Sequence, residues 1–427
     1  MSCVLVVGGG GREHALVWAL SSSPSVDRLL VAPGNPGTAG CDRTENVAIP
    51  AGDIDGLVAL CRRESVDLAV IGPEDPLAAG IVDALASAGV AAFGPSAACA
   101  RLEASKAYCK RFLIDNGIPT AAAEVFEDPD SALAHLASRP DVPVVKASGL
   151  AAGKGVIVPE TEAEAAGAVR AMLTERRFGS AGEQILLEER LWGREVSVLA
   201  FCDGERFAVL PPAQDHKRLR AGDEGPNTGG MGASTPSPAT DDRLIDQIGR
   251  QVIAPTLAAL GRAGTPYRGL LYAGLMITDD GPKVIEFNCR FGDPETQAVI
   301  RLLRSDLFEV MAACATGSLV GVPLEWAPVA SVAIVMASAG YPVAGSDPVP
   351  IAGLEEAEQQ GCVVFHAGTG VIDGALHATG GRVLAVTATG PDVATASARA
   401  YRGVGAIGFE GAQHRADIGR TPAVVRP

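Results

Sequence analysis

The segment VIEFNCRFGDPETQ, residues 284–297, sets a carboxylate (Glu286), a carboxamide (Asn288) and a guanidinium (Arg290) within five positions, and a second acid, Asp293, follows at once. Apolar Ile285 and Phe287 alternate with Glu286 and Asn288 at the period of a β-strand, so the two polar side chains leave one face together. Two hard oxygen donors side by side suit Mg²⁺ (or Mn²⁺), which shares such ligands with phosphate oxygens, and Arg290 can hold a phosphate oxygen bidentately. Glu286 and Asn288 are therefore the candidate metal ligands, with Arg290 and Asp293 as catalytic candidates. A solvated strand end followed by a Gly292-Asp293-Pro294 turn is the plainer reading of the same letters.

A second constellation lies upstream in VPVVKASGLAAGKGVIV, residues 142–158, which reads as two apolar strands joined by a small, cationic loop. Lys146 ends the first strand, where a buried ammonium is costly without a partner, and it is the third catalytic candidate. In the loop, Gly149, Gly153 and Gly155 let backbone amides approach phosphates while Lys154 supplies charge. A mobile solvated hairpin tip would carry similar letters. Strands at 184–189 and 194–201 then crowd Glu188, Glu189 and Glu195 along one edge, which is destabilising unless something donates to them; a ribose hydroxyl or an adenine amino group would serve. Residues 213–236 read as one long polar loop, a candidate substrate lid in which Asp215 and Lys217 are the binding candidates.

Alternating elements must position these groups. The N-terminus reads as strand (4–7), four glycines (8–11) and helix from about Arg12, so Gly9, Gly10, Gly11 and Arg12 combine backbone amides, a helix dipole and a guanidinium in an anion site. Further strands at 28–32 and 68–71, with helices at 54–64 and 78–88, imply a parallel, doubly wound sheet. Its carboxyl edge gathers the loops APGNPGTAG (Gly34, Asn35, Gly37) and IGPEDPLAAG (Glu74), where open α/β sheets bind ligands, although turn chemistry alone explains such loops. A dinucleotide fingerprint fits poorly, because Gly11 is followed by Arg-Glu-His where a third glycine is needed. One helix is expected over 96–116. From about 328 the texture becomes a small α+β unit, strands 331–338, 362–367 and 382–387 with a helix at 393–401, without obvious chemistry of its own.

The 427 residues suggest about three domains. The expected division is 1–103 as the doubly wound substrate-binding unit, 104–327 as a two-part unit with a mobile lid at about 120–190, and 328–427 as the terminal unit, an α/β and α+β multidomain fold. With 35 basic and 50 acidic residues, a net charge of −15 argues against a nucleic-acid or anionic-membrane surface, so any phosphate must be gripped locally. The nine cysteines form no CxxC pair and no signal peptide precedes the first strand, so buried thiols in a reducing cytoplasm are expected. No apolar run is long enough to span a bilayer.

Lys106, then Lys146 with GLAAGKG, then Glu188 with Glu195, then the Glu286-Phe287-Asn288 strand stand in an order that resembles the ATP-grasp superfamily. Over essentially the whole chain, GGGGREHAL, APGNPGTA, FGPSAACARLEASK, KASGLAAGKGVIV, QDHKR, GPNTGGMGA and IEFNCRFGDPETQ resemble the phosphoribosylamine–glycine ligase family. The resemblance implies a pre-ATP-grasp domain, a lid and a large domain clasping ATP, and a C-terminal domain completing the pocket. It also implies ligation of glycine to 5-phosphoribosylamine in purine biosynthesis, with ATP cleaved to ADP and phosphate. Residue by residue it puts Lys106 and Lys146 on the ATP phosphates under the 149–155 loop, adenine at Glu188 to Leu191, the ribose at Glu195, the metal at Glu286 and Asn288, and Arg290 at the transferring phosphoryl group. One departure from the wider superfamily is Met276 in YAGLMI, at the position where many members carry a further acidic metal ligand.

The chemistry agrees. A carboxylate is a poor acyl donor, so glycine must become an acyl phosphate before an amine attacks, and phosphoryl transfer needs positioning and charge neutralisation rather than an enzyme nucleophile. Mobile loops would keep water from the intermediate. The expected partners are the two small substrates and, transiently, the preceding enzyme of the pathway, with no nucleic acid and no membrane. Rival readings are another ATP-grasp ligase or carboxylase, a nicotinamide oxidoreductase using the glycine loop, and a nucleotide sensor lacking metal ligand or phosphate lysine.

Overall fold

The structure, a computed structural model, describes residues 2–151 and 154–420. Its N-terminal unit is the expected parallel sheet: β1 (Ser2–Gly8), β2 (Val26–Pro33), β3 (Thr44–Asn46), β4 (Leu68–Ile71) and β5 (Ala91–Phe93), ordered β3-β2-β1-β4-β5. Val4 to Val7 of β1 and all of β4 are runs of Val, Leu, Ile and Ala because both faces are covered, by one core holding Val4, Val6, Leu16 and Leu29 and another holding Leu5, Val7, Leu57 and Leu85. Strand order reverses at β1, so the crevice beyond its carboxyl end, where helix α1 (Gly11–Leu20) begins, is where such a sheet opens to a ligand.

The segment expected to be a lid contains an antiparallel sheet in the order Ala123–Phe126, Ile185–Glu188, Val144–Ala147, Val156–Ile157. Beneath it lies a second antiparallel sheet, ordered Phe207–Val209, Arg194–Asp203, Arg268–Thr278, Gly281–Asn288. Phe93 of β5 packs at 6.1 Å from Phe201 and 5.8 Å from Phe291, so one aromatic cluster locks the large sheet onto the N-terminal unit. The helix expected over 96–116 is two, Ala97–Ala104 and Lys106–Asp115. Ser105 is extended, and its hydroxyl accepts from the Tyr108 amide, so it caps the second helix instead of continuing the first.

The lid-loop expectation for 213–236 is overturned. Gln214–Asp215 and Gly232–Thr235 are strands in a sheet continued by Ala330–Ala337, Arg382–Gly390 and Val363–His366, and Arg218–Arg220 pairs with Glu224–Asn227 as a ribbon. Small buried residues over 232–235 let this strand lie between Ala330–Ala337 and the helix Glu295–Val299. The terminal sheet thus draws strands from both sides of residue 328. No helix among the described residues is long and apolar enough to cross a membrane.

Candidate active site

One face of the large sheet carries the chemistry. Backbone register sets Ser197 opposite Gly274, Gly274 opposite Glu286 and Tyr272 opposite Asn288, so Glu195, Ser197, Tyr272, Gly274, Glu286 and Asn288 share that face. The residue across from Glu286 is Gly274, and Met276, which pairs with Glu195 and Lys283, stands two residues further along the same strand on the same face. A bulge between Gly274 and Leu275 leaves Ile285 of the partner strand unpaired and shifts the register there by one residue. Gly274 leaves the floor open: a Cβ there would come 3.2 Å from Glu286 Cγ.

Glu286 is held at a pKa of about 2, chiefly by Lys217, with Lys146 and Lys106 adding to the pull against burial. Lys217 Nζ lies 3.3 Å from Glu286 Oε1 and 3.8 Å from Glu195 Oε2. Burial opposes the Lys217 charge, yet Glu286 and Glu195 hold its pKa well above the ordinary value. Asn288 Oδ1 accepts from Arg290 at 3.3 Å. An ionised carboxylate and an amide oxygen on one face fit a hard divalent ion whose remaining ligands are phosphate oxygens. The described residues offer no group of three or more His, Cys, Asp or Glu side chains for an all-protein site.

Lys146 is buried, as its position demanded, and its partner is Glu188. Nζ lies 2.5 Å from Glu188 Oε1 and donates to the Ile285 carbonyl at 3.2 Å, while Lys110 Nζ lies 2.9 Å from Glu188 Oε2. Ammonium groups, not an adenine amino group, therefore compensate the Glu188 carboxylate. Glu189 accepts from the Ala122 amide at 3.1 Å, and Leu191 and Glu195 remain partly or largely open. Lys106 Nζ donates to the Gly149 carbonyl at 3.2 Å, and burial lowers its pKa despite Glu286. Gly149 packs so closely on Ala181 that a Cβ would stand 2.6 Å from its Cα. Lys154 is exposed, Gly155 is buried against Ala151, and Gly153 lies outside the described residues.

Arg290 is held by protein groups. Its guanidinium is spent on protein: Nε lies 3.2 Å from Glu74 Oε2, Nη2 2.9 Å from Glu103 Oε1, and Nη1 donates to the Phe291 carbonyl at 3.3 Å. Glu103 also accepts from the Cys289 amide at 2.6 Å, so it pins the strand end from the preceding helix. Glu74, expected on substrate, is thus an ion-pair partner whose pKa is lowered by Arg290 and Arg12 against burial.

The glycine loop is likewise more self-satisfied than expected. Glu13 accepts from the Gly10 amide at 2.6 Å as a capping box, so a carboxylate of the chain already uses the helix terminus. Arg12 Nε pairs with Glu13 at 2.6 Å and Nη1 donates to the Phe291 carbonyl at 3.1 Å, which ties the loop to the segment just beyond the Glu286–Asn288 strand end. The Asn35 amide is saturated, donating to the Gly9 and His366 carbonyls at 2.9 Å each and accepting from the Gly37 and Thr38 amides. A Cβ on Gly9 would lie 2.6 Å from the Gly34 carbonyl oxygen and one on Gly11 2.7 Å from Gln297 Nε2; on Gly34 or Gly37 it would collide with Asn46 or His14. These glycines are required by close packing against protein.

Asp293 sits at the mouth of the same crevice, 2.9 Å from Arg382 Nη2 and accepting from Gln297 at 2.7 Å. Arg382 comes from the terminal sheet, so that unit contributes directly and is not inert as its sequence suggested. Asp215 and Lys217 meet Ser197, Tyr272 and Glu195 around one cavity. Sequence reasoning missed Lys110, Glu103, Arg382 and Glu295. For Lys110 a signal existed, since it follows Lys106 by four residues on one helix and is therefore on the same side.

Comparison with known proteins supplies the frame for this geometry. Family models match in three consecutive parts: Phosphoribosylglycinamide synthetase N domain over 2–103, ATP-grasp (A) domain over 104–296 and C domain over 331–421. A phosphoribosylamine–glycine ligase of Synechocystis sp. is 49% identical over 97% of this chain and 99% of its own. The trifunctional purine biosynthetic protein adenosine-3 of Gallus gallus is 51% identical over 97% of this chain, which spans only 42% of that longer protein. The crystal structure of phosphoribosylamine–glycine ligase from Thermotoga maritima superposes with a TM-score of 0.82 at 33% identity, covering 97% of this chain and 99% of that one. With all three domain models in order and near half of its residues shared with a full-length relative, the chain belongs to the phosphoribosylamine–glycine ligase family of ATP-grasp enzymes.

Proposed function

We propose that the protein joins glycine to 5-phosphoribosylamine, forming N1-(5-phosphoribosyl)glycinamide, ADP and phosphate through glycyl phosphate, as a step of purine biosynthesis in the cytoplasm. The observation that carries this reading is the Glu286 carboxylate, ionised on an open sheet face among Lys217, Lys146 and Lys106. Such a site neutralises a triphosphate and leaves room for a divalent ion between protein and phosphate.

In this reading Lys106 and Lys146 hold the phosphates, with Lys110 and Glu188 fixing Lys146 in place. The 149–155 loop, with Lys154 and Gly155, closes over them. Glu189 and Leu191 line the adenine end and Glu195 the ribose. Glu286 and Asn288 would hold Mg²⁺ or Mn²⁺, which when bound supplies charge neutralisation between the phosphoryl groups. Arg290 acts by fixing Asn288 rather than by touching phosphate. Phosphoribosylamine enters the crevice between Gly9 to Gly11 and Asp293, whose charge Arg382 balances.

The working division is 1–103, 104–327 with a lid at about 120–190, and 328–427. A transient contact with the enzyme that makes the labile amine belongs to the proposal, and the longer purine biosynthetic relative supports the idea of pathway neighbours. The nine free cysteines suit a reducing compartment.

The test is glycine labelled with ¹⁸O in its carboxylate. One labelled oxygen in the released phosphate, with ADP and no AMP, is expected; phosphate whose fourth oxygen comes from water, or AMP and pyrophosphate, overturns the route.

A further inference from the structure

The strand that carries Glu286 and Asn288 is held at its end from outside its own sheet. Glu103 is 8% exposed near the end of the helix Ala97–Ala104, and each of its oxygens has one donor. Oε2 accepts from the Cys289 amide at 2.6 Å and Oε1 lies 2.9 Å from Arg290 Nη2. The same Nη2 donates to Asn288 Oδ1 at 3.3 Å. Glu74 meets the guanidinium on a different nitrogen, Nε, at 3.2 Å, and its side chain is more open, 28% against 7% for Glu103. Two carboxylates of equal charge therefore share one guanidinium, and only Glu103 shares the nitrogen that Asn288 uses.

A guanidinium only donates, so Nη2 fixes which end of the Asn288 amide is the oxygen at that contact, and that oxygen keeps a second lone pair for a metal. Glu103 in turn sets where Nη2 stands, and through the Cys289 amide it holds the backbone next to Asn288. Building on the ligase reading and its metal site, we propose that Glu103 is a positioning residue for the divalent ion: it stays outside the ligand set and makes Asn288 Oδ1 a ligand by aiming Arg290. Burial raises the Glu103 pKa and Arg290 opposes the rise. A carboxyl proton on either oxygen would meet a donor already there, so the ionised form is the one that fits. Glutamine has one oxygen to offer and would turn its NH₂ toward the other donor, stranding either the Cys289 amide or Nη2. The helix before the nucleotide-binding sheets thus aims a ligand on the strand at their far end.

The experiment is calorimetric titration of a non-hydrolysable ATP analogue into the full-length protein, with Mg²⁺ and with chelator; the ratio of the two affinities is the gain due to metal. Glu103→Gln should lower that gain by at least about tenfold, the scale for partners that orient metal ligands, with the metal-free affinity within about twofold. Glu74→Gln removes the same charge from the same guanidinium and should leave the gain within about threefold, as for a partly open ion pair. In an Asn288→Asp background either oxygen can serve and the carboxylate holds Nη2 by itself, so adding Glu103→Gln should cost less than about threefold. A merely structural role for Glu103 would not be rescued in this way. If Glu103→Gln does not fold, Arg290→Lys keeps a cation between the two glutamates but has one nitrogen for three partners, and the same loss of about tenfold is expected. No gain from metal in the unaltered protein, an unmoved gain in Glu103→Gln or in Arg290→Lys, an equal loss in Glu74→Gln, or a loss that persists in the Asn288→Asp background overturns the inference. Failure of the unaltered protein to make product from glycine, with the gain from metal intact, would instead overturn the ligase reading.

Discussion

Glu188 and Glu295 are buried acids, and Asp215, close enough to Glu295 for their charges to interact, is partly buried with an enclosed Oδ1; the surroundings of Glu188 and of this pair are opposite. Glu188 is flanked by Lys146 and Lys110 at 2.5 and 2.9 Å, whereas among the described residues neither Asp215 nor Glu295 forms an ion pair. The difference teaches how to separate scaffold from receptor. A charge the protein compensates itself sets geometry, and a charge it leaves uncompensated waits for something from outside.

The largest effect that could break this distinction is on stability. Glu188→Ala would strand two buried ammonium groups, so urea denaturation should show a loss of about 3–5 kcal/mol. A loss below about 1 kcal/mol would mean that Lys146 and Lys110 are solvated and the triad is not scaffold. Glu286 stands between the two kinds, compensated by lysines yet open to a ligand. Glu286→Gln should cut turnover by at least about a hundredfold, or about 2.7 kcal/mol of transition-state stabilisation, while the urea midpoint stays near that of the unaltered protein. Unchanged turnover would remove it from the metal site.

A titrating counterpart is His14, whose Nδ1 accepts from the His366 amide and whose pKa burial lowers to about 3. An unfolded chain takes up this proton near the ordinary value, so the folded state loses stability as pH falls from about 6.5 toward 3, by on the order of 3–5 kcal/mol at the end of the window. His14→Asn, which keeps an acceptor but cannot titrate, should flatten that slope in denaturation curves recorded across the range. The smallest effect sharpens the comparison most. Asp215→Asn should leave stability within about 1 kcal/mol or raise it, because it removes a burden rather than a bond; a loss of several kcal/mol would reveal a structural partner.

Much of this arrangement was legible in the residues. Period-two alternation announced the Glu286 and Asn288 face, and the cost of a buried ammonium announced that Lys146 had a partner. What stayed hidden depended on contacts far along the chain. Glu103 meets the Cys289 amide from 186 positions away, and nothing local to either residue signals it. The strands at 214–215 and 232–235 read as loop because they are short and built of small residues, while the strand that holds the second of them in place begins at Ala330. The glycines near the N-terminus were conspicuous, but glycine looks the same whether it makes way for a phosphate or for a neighbouring histidine ring.

Lys217 carries one more consequence. With its ammonium 3.3 Å from Glu286, the resting protein already has a resident cation at this strongly acidic side chain. A stray divalent ion must therefore displace a tethered charge and gains only one carboxylate by doing so, whereas an ion arriving with nucleotide brings its own phosphate ligands. On the proposed metal site this lysine would guard against mismetallation: binding should follow an order in which metal and nucleotide enter together, and the empty site should ignore ions such as free zinc that bind carboxylates more tightly than magnesium does.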